Sequence, residues 1–185
     1  IDNLLDYLWS NGVPFVHLIG FPKGRKMEGM AVRIGERPVI IISKSSKCSA
    51  WLLFILAHEL GHVAKAHLRN NEAIVDEKIE DTDSEEASSF RDEVEANAYA
   101  VGLLTGNPNT AFTANSWLTA EMLAKSALSL SETNRIHPGV IALNYAKGKN
   151  FFPTAQAALA LVDSDQAAVN TIRRKMIEHL DLGLL

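Results

Sequence analysis

Two histidines and a glutamate lie together in the segment LAHELGHV (56–63), at the end of an apolar run. If this segment is helical, His58 and His62 lie one turn apart on one face, so both imidazoles can reach one metal ion. Glu59 faces the same side without ligating, as in the HExxH arrangement of two zinc ligands and a general base. Burying these groups without partners costs several kcal/mol, which favours a metal ion. The alternative is two core histidines bonded to the backbone and a surface glutamate.

A catalytic zinc site usually has three protein ligands, and the candidates for the third are His67, Glu93 and Glu95. His67 does not fit the extended pattern HExxHxxGxxH, so we expect it to be a helix C-terminal residue that favours the helix dipole. Glu93 and Glu95 share one predicted helix but point about 200° apart. Glu93 lies on the more apolar face and is the predicted third ligand. Glu95 is predicted to be a surface charge near Arg91.

Two further residues are candidates for supporting the site. Asn97 lies one turn after Glu93, and its side-chain oxygen is expected to accept the far N–H of a ligating histidine. His137, in RIHPG, is the predicted catalytic donor that stabilises the oxyanion, with Tyr145 and Tyr99 behind it. The alternatives are an ordinary helical asparagine and a turn histidine before a proline.

The secondary structure that must position these residues is predicted to have most strands early in the chain and most helices late. Predicted strands cover residues 14–19, 30–35, 38–43 and 73–79, and predicted helices cover 3–9, 50–67, 85–104, 116–129, 138–147, 154–162 and 164–180. Ser46 or Ser49 is expected to cap the helix that carries the motif. Without βαβ alternation the fold class is α+β, with a small antiparallel sheet packed on the HExxH helix and a mostly helical C-terminal part. Residues 1–150 are the predicted domain, and 151–185 a helical extension packed on it.

Composition and charge limit the kinds of partner and the cellular location that we expect for this chain. The net charge of −4 over 185 residues predicts no direct binding to nucleic acid and none to an anionic membrane. The longest apolar run, AWLLFILA (50–57), is too short to span a bilayer. A single cysteine, Cys48, allows no intramolecular disulfide and indicates a cytoplasmic protein. Because the chain begins with Ile1 rather than Met, we expect room for an N-terminal partner domain upstream.

The segment HELGH (58–62), followed about thirty residues later by EVEANAYAVGLL (93–104), resembles the ImmA/IrrE family of metallopeptidases. The segment RIHPGVIALNYAKG (135–148) is similar to a C-terminal segment of family members fused to a helix-turn-helix repressor domain. Two departures are Tyr99, where the family motif has phenylalanine, and Thr105-Gly106, where it has methionine and proline.

The resemblance implies a zincin-like fold of the gluzincin kind, with His58, His62 and Glu93 as ligands and Glu59 as general base. It implies a zinc-dependent endopeptidase that cuts a DNA-binding repressor, in stress response or mobile-element regulation. Zn²⁺ is the expected cofactor, and His/His/Glu ligation also suits Mn²⁺ or another divalent ion. The alternative function is a non-proteolytic zinc-binding sensor or regulatory module of a transcriptional regulator or toxin–antitoxin system. The intact HExxH favours the enzyme, because a purely structural zinc has no need of Glu59.

Overall fold

Helices dominate the described part of the chain, and four strands form one small sheet. The computed structural model describes residues 1–18, 27–68, 73–76, 87–149, 152–163 and 167–182. The helices are α1 (Asp2–Ser10), α2 (Ser49–Ala64), α3 (Ala87–Thr105), α4 (Ala120–Asn134), α5 (Pro138–Lys149), α6 (Phe152–Val162) and α7 (Ala168–Leu182). The strands are β1 (Phe15–His17), β2 (Gly29–Ile34), β3 (Arg37–Ile42) and β4 (Ala73–Asp76). The predicted α+β class is confirmed.

The sheet is mixed, with the strand order β1-β3-β2-β4. β2 and β3 form an antiparallel hairpin, and β4 pairs antiparallel with β2. β1 pairs in parallel with β3, in the register that places Phe15 opposite Ile40. The prediction of an antiparallel sheet is therefore wrong at β1. A tight turn forces consecutive strands to run antiparallel. β1 instead pairs with the second strand of the hairpin, and the long connection between β1 and β3, which includes β2, permits a parallel arrangement.

Helix α2 lies between two apolar clusters, and thirteen of its sixteen residues are buried, so no face of it is left for water. One cluster joins its N-terminal half to α4, α5 and α6, and includes Trp51 and Leu159. The other joins it to the sheet, α1 and α7, and includes Leu56 and Ile172. A helix that is apolar all round must be buried in this way. The segment that carries His58 and His62 is consequently the central element of the molecule.

The N-terminus of α2 is capped by a residue that is distant in sequence. Asp163, directly after α6, accepts hydrogen bonds from the backbone N–H groups of Ser49 at 3.0 Å and Ala50 at 2.6 Å. A buried carboxylate at this position satisfies open N–H groups and complements the helix dipole. The expectation of a side-chain cap from Ser46 or Ser49 is wrong, because the tertiary packing of α6 brings a stronger acceptor to the same site.

The C-terminal helices pack on the rest of the chain in two places. α6 lies against α4 and α5, while α7 lies against α1 and β1. On α7, Lys175 pairs with Asp6 at 2.6 Å, and the His179 ring stacks on Trp9 with centroids 4.8 Å apart. None of the helices within the described ranges is long and apolar enough to cross a membrane. The division of the chain at residue 150 stays a prediction.

Candidate metal centre

A close approach between α2 and α3 brings the candidate ligands together. Gly61 of α2 lies against the backbone of Ala96 in α3, and a Cβ at residue 61 would be 2.9 Å from the Ala96 Cα. Only glycine allows two helix backbones to come this near. Glu93 lies one turn before Ala96 on α3, so the same contact places its carboxylate beside His58 and His62.

Two imidazole nitrogens and the two oxygens of one carboxylate lie close together between these helices. His58 Nε2 lies 3.1 Å from His62 Nε2. The Glu93 carboxylate reaches His58 Nε2 at 3.2 Å through one oxygen and His62 Nε2 at 3.3 Å through the other. Zinc bonds of about 2.0–2.2 Å in a tetrahedron separate neighbouring ligand atoms by roughly 3.3–3.6 Å. His58, His62 and Glu93 therefore lie close enough to hold a metal ion, as predicted from the sequence.

The electrostatics of the cluster suit a cation. His58 and His62 are buried, whereas the Glu93 side chain is 21% exposed, so water reaches the cluster from the α3 side. Burial raises the pKa of Glu93, but hydrogen bonds to the two imidazoles and their charges outweigh that effect and lower the pKa to about 2. Glu93 is consequently ionised at neutral pH and presents a carboxylate.

The Glu59 side chain is fully buried between α2 and the beginning of β2. A Cβ at residue 29 would overlap the Glu59 carboxylate and would lie 2.8 Å from Ile55 Cγ2. Gly29 is therefore required by the space that Glu59 occupies. Glu59 does not belong to the group of three clustered ligands, as expected for a residue that assists the metal site without ligating.

His67, rather than Asn97, contacts a ligating histidine. His67 Nδ1 lies 3.1 Å from His62 Nδ1, the nitrogen that faces away from the cluster. Asn97 is buried on α3, and its Oδ1 has no hydrogen-bond partner among the described residues, so the predicted bond from this oxygen to a ligand is not formed. The reason is that the turn after α2 folds His67 back onto His62. The sequence did contain this signal, a histidine five residues after His62. Because it does not fit the extended zinc motif, it is predicted from the sequence to be a helix C-terminal residue.

His137 lies far from the cluster, at the beginning of α5. Its Nε2 is 3.2 Å from Ser49 Oγ. Ser49 precedes His58 by nine residues, which corresponds to about 14 Å along α2. This placement does not support the predicted catalytic role of His137, because an oxyanion donor must lie about 3 Å from the reacting oxygen. The physical reason is that α5 crosses α2 with its N-terminus at the first turn of α2.

Ser49, His137 and Asp163 form a cluster of their own, which is structural. The backbone N–H of Gly139 donates to His137 Nδ1 at 3.1 Å, so the ring proton lies on Nε2 and is donated to Ser49. Ser49 in turn donates its hydroxyl proton to Asp163. A serine nucleophile needs a histidine nitrogen that accepts its proton, and here that nitrogen is a donor. The cluster secures the cap of α2 instead.

One cation lies near the metal-ligand cluster. Lys147, on α5, places its Nζ 5.8 Å from the centroid of the Phe54 ring, and that ring stacks on the His58 ring with centroids 6.3 Å apart. Lys147 is exposed overall, but partial desolvation of its ammonium lowers its pKa, and the negative charge of Glu93 raises it in part. Lys147 is therefore close enough to the Glu93 carboxylate for the two charges to attract each other.

The described residues supply three ligands from His, Cys, Asp and Glu at this centre and no fourth. Structural zinc sites are usually closed by four protein ligands, whereas catalytic sites keep one position open. The arrangement therefore has the composition of a site that can bind a metal and admit a further molecule. No protein-family model matches the chain, and no match is found among the curated proteins or the solved structures.

Proposed function

We propose that this chain is a zinc-dependent endopeptidase in which His58, His62 and Glu93 hold the ion and Glu59 is the general base. The observation that carries the proposal is the close approach of the ligand atoms: the two Nε2 atoms lie 3.1 Å apart, and the two Glu93 oxygens lie 3.2 Å from His58 Nε2 and 3.3 Å from His62 Nε2. Two neutral imidazoles and one carboxylate leave a Zn²⁺ site with a net charge of +1. A site with this charge and an open position suits hydrolysis better than a closed structural role.

The residues of the chain have distinct roles in the proposed reaction. When bound, zinc lowers the pKa of water to about 7 and polarises a carbonyl group. Glu59 takes a proton from the attacking water and passes it to the leaving amine, which typically contributes 10²–10⁴-fold to the rate. The burial of Glu59 beside Gly29 shields the carboxylate from bulk water.

Lys147 takes over the electrophilic role that His137 does not fill. Its ammonium lies over the Phe54 ring at 5.8 Å, and that ring contacts His58. The flexible four-carbon stem of a lysine allows its charge to move by several ångströms. We assign to Lys147 the stabilisation of negative charge on the substrate carbonyl oxygen.

The finer features of the proposal come from the sequence motifs. HELGH (58–62) and EVEANAYAVGLL (93–104) resemble the ImmA/IrrE family, and this supports a zincin-like fold and a helix-turn-helix repressor as the protein substrate. The proposed location is the cytoplasm, where such a repressor and a single reduced cysteine both belong. The three-ligand site favours the enzyme over a non-proteolytic regulatory module.

The proposal is tested with a repressor encoded beside the gene for this chain. The wild type, Glu59→Gln and the control Glu132→Gln, on the exposed face of α4, are each incubated with the repressor, with and without zinc. Mass spectrometry of the products should show cleavage by the wild type and the control only with zinc. Glu59→Gln should retain one equivalent of zinc and leave the repressor intact. Cleavage by metal-loaded Glu59→Gln would contradict the mechanism, and tight binding of an uncut repressor by the wild type would indicate the regulatory module.

A further inference from the structure

Helix α2 ends in a turn whose backbone conformation is unfavourable for residues other than glycine. Ala66 has a φ of 57°, in the left-handed region where residues with a Cβ are uncommon. The turn is held by backbone bonds from Ala66 N–H to Val63 at 3.1 Å and from His67 N–H to His62 at 3.0 Å. This is the usual way to end a helix, although glycine is the usual residue at the left-handed position. The consequence is that His67 turns back towards α2.

The turn places the two imidazoles against each other. His67 Nδ1 lies 3.1 Å from His62 Nδ1, and the ring planes are inclined at 70° with centroids 5.1 Å apart. The His67 side chain is 6% exposed, so water does not compete for this contact. Only one proton can lie between two nitrogens at this distance, and one nitrogen must be the donor.

The position of the metal-ligand cluster decides which nitrogen donates. His62 Nε2 faces His58 and Glu93, so this nitrogen would supply the lone pair to a bound ion, and the ring proton would then be on Nδ1. His62 Nδ1 is therefore the donor and His67 Nδ1 the acceptor. It follows that the proton of His67 is on Nε2.

The remaining nitrogen of His67 faces two carboxylates from α3. His67 Nε2 lies 3.6 Å from Asp92 Oδ1 and 3.5 Å from Glu95 Oε2. Both carboxylates attract a ring N–H, which agrees with the proton placement deduced from the metal side. Asp92 and Glu95 flank Glu93 on the same helix, so α3 supplies one ligand directly and orients a second through His67.

We propose that His67 is a positioning residue, which accepts the Nδ1–H of His62 and thereby holds the orientation and tautomer that metal ligation requires. The proposal rests on the metal site of the proposed function but not on peptide cleavage. A group bonded to the outer nitrogen of a ligating histidine typically contributes 10–100-fold to metal affinity. Here the group is a histidine whose other nitrogen lies 3.5–3.6 Å from two carboxylates, in the place usually taken by a carboxylate or a carbonyl.

The first experiment measures zinc affinity by competition with a chromogenic chelator in wild type, His67→Ala, His67→Asn and the control His179→Ala. His67→Ala should bind zinc about 10–100-fold more weakly. His67→Asn keeps an acceptor oxygen near the position of Nδ1 and should recover affinity to within a few-fold of wild type. His179→Ala removes a histidine of α7 that stacks on Trp9 and should bind like wild type. Equal affinity in wild type and His67→Ala would overturn the proposal.

The second experiment needs no variant to fold. Long-range ¹H–¹⁵N spectra of the zinc-loaded wild type should show His62 as the Nδ1–H tautomer and His67 as the Nε2–H tautomer. An Nδ1–H tautomer at His67 would overturn the proposal whatever the affinities are. The two hypotheses fail separately: zinc-binding protein that never cuts the repressor contradicts the peptidase, whereas unchanged affinity in His67→Ala contradicts only the positioning role.

Discussion

The contact between Gly61 and Ala96 allows a sharp prediction, because replacing Gly61 with alanine has two opposite effects. In an exposed helix, alanine is more stable than glycine by about 1 kcal/mol. At residue 61, however, the new Cβ would lie 2.9 Å from Ala96 Cα and 3.0 Å from the Ala96 carbonyl oxygen. Both atoms belong to backbone, so neither can be moved by a change of rotamer. The substitution therefore forces α2 and α3 apart.

The size of the displacement follows from ordinary contact distances. Carbon atoms in contact are about 3.5–4.0 Å apart, so α3 must retreat by roughly 0.6–1.1 Å. Glu93 is one turn from Ala96 and moves with it. Metal–ligand distances tolerate only about 0.2 Å of error, so the Glu93 bond cannot survive this shift unchanged. We expect zinc affinity to fall at least tenfold, or about 1.4 kcal/mol. Overpacking costs about 1–3 kcal/mol, which exceeds the gain in helix propensity.

The assay compares Gly61→Ala with Gly148→Ala, which also adds a methyl group to a helical glycine. A Cβ at residue 148 in α5 would meet no atom within 4 Å. Zinc affinity is measured by chelator competition, and the free energy of unfolding is measured in denaturant for metal-free protein. Gly148→Ala should be as stable as wild type or more so, with unchanged zinc affinity. If Gly61→Ala binds zinc like wild type and gains stability, the claim that this contact sets the position of Glu93 beside the two histidines is refuted.

Three further outcomes are expected. Lys147→Met, which keeps the stem and removes the charge, should lower kcat for peptide cleavage about 10²-fold with zinc affinity intact, and an unchanged kcat would exclude the electrophilic role. Removing zinc with a chelator should lower the melting temperature, because an ion at a thousandfold excess over its Kd adds about 4 kcal/mol to the free energy of unfolding. Calorimetry that shows no shift would contradict the metal site. Burial lowers the pKa of His17 below its ordinary 6.5, opposed by a bond to the Lys44 carbonyl and helped by the charge of Arg173. The unfolded chain then binds a proton that the folded chain does not, so stability should fall by up to about 1.4 kcal/mol per pH unit as the pH drops below 6.5. Denaturant unfolding at several pH values should show this loss in wild type and a smaller loss in His17→Gln.

The three candidate ligands could be predicted because the histidine pair and the choice of glutamate each depend on the local geometry of one helix. The spacing of His58 and His62 places both rings on one helix face in any α-helix. The choice of Glu93 over Glu95 needed only the helical period and the more apolar face of α3. The structure agrees with both, since Glu95 pairs with Arg91 at 2.9 Å on the exposed side.

The predictions that the structure does not support concern residues whose contacts are not set by the local geometry of one helix. His137 was expected at the metal site, but its neighbour is Ser49, because the crossing of α5 over α2 is not encoded in either helix alone. The cap of α2 comes from Asp163, more than a hundred residues later. His67 was expected to continue along its helix, but Ala66 adopts a left-handed conformation that a single-residue propensity does not predict.

By itself, the sequence determined an α+β chain with a buried HExxH helix, a second helix that turns Glu93 inward, and the chemistry that these residue types permit. These features follow from periods of two and 3.6 residues, which act over one or two turns. Only the tertiary structure decided that β1 runs parallel to β3, that Gly61 lets α3 approach, and that His67 returns to His62. Each of these features depends on a contact between two different segments of the chain. Such a contact stabilises the protein only after the segments have packed together, so the pattern within one segment does not predict it.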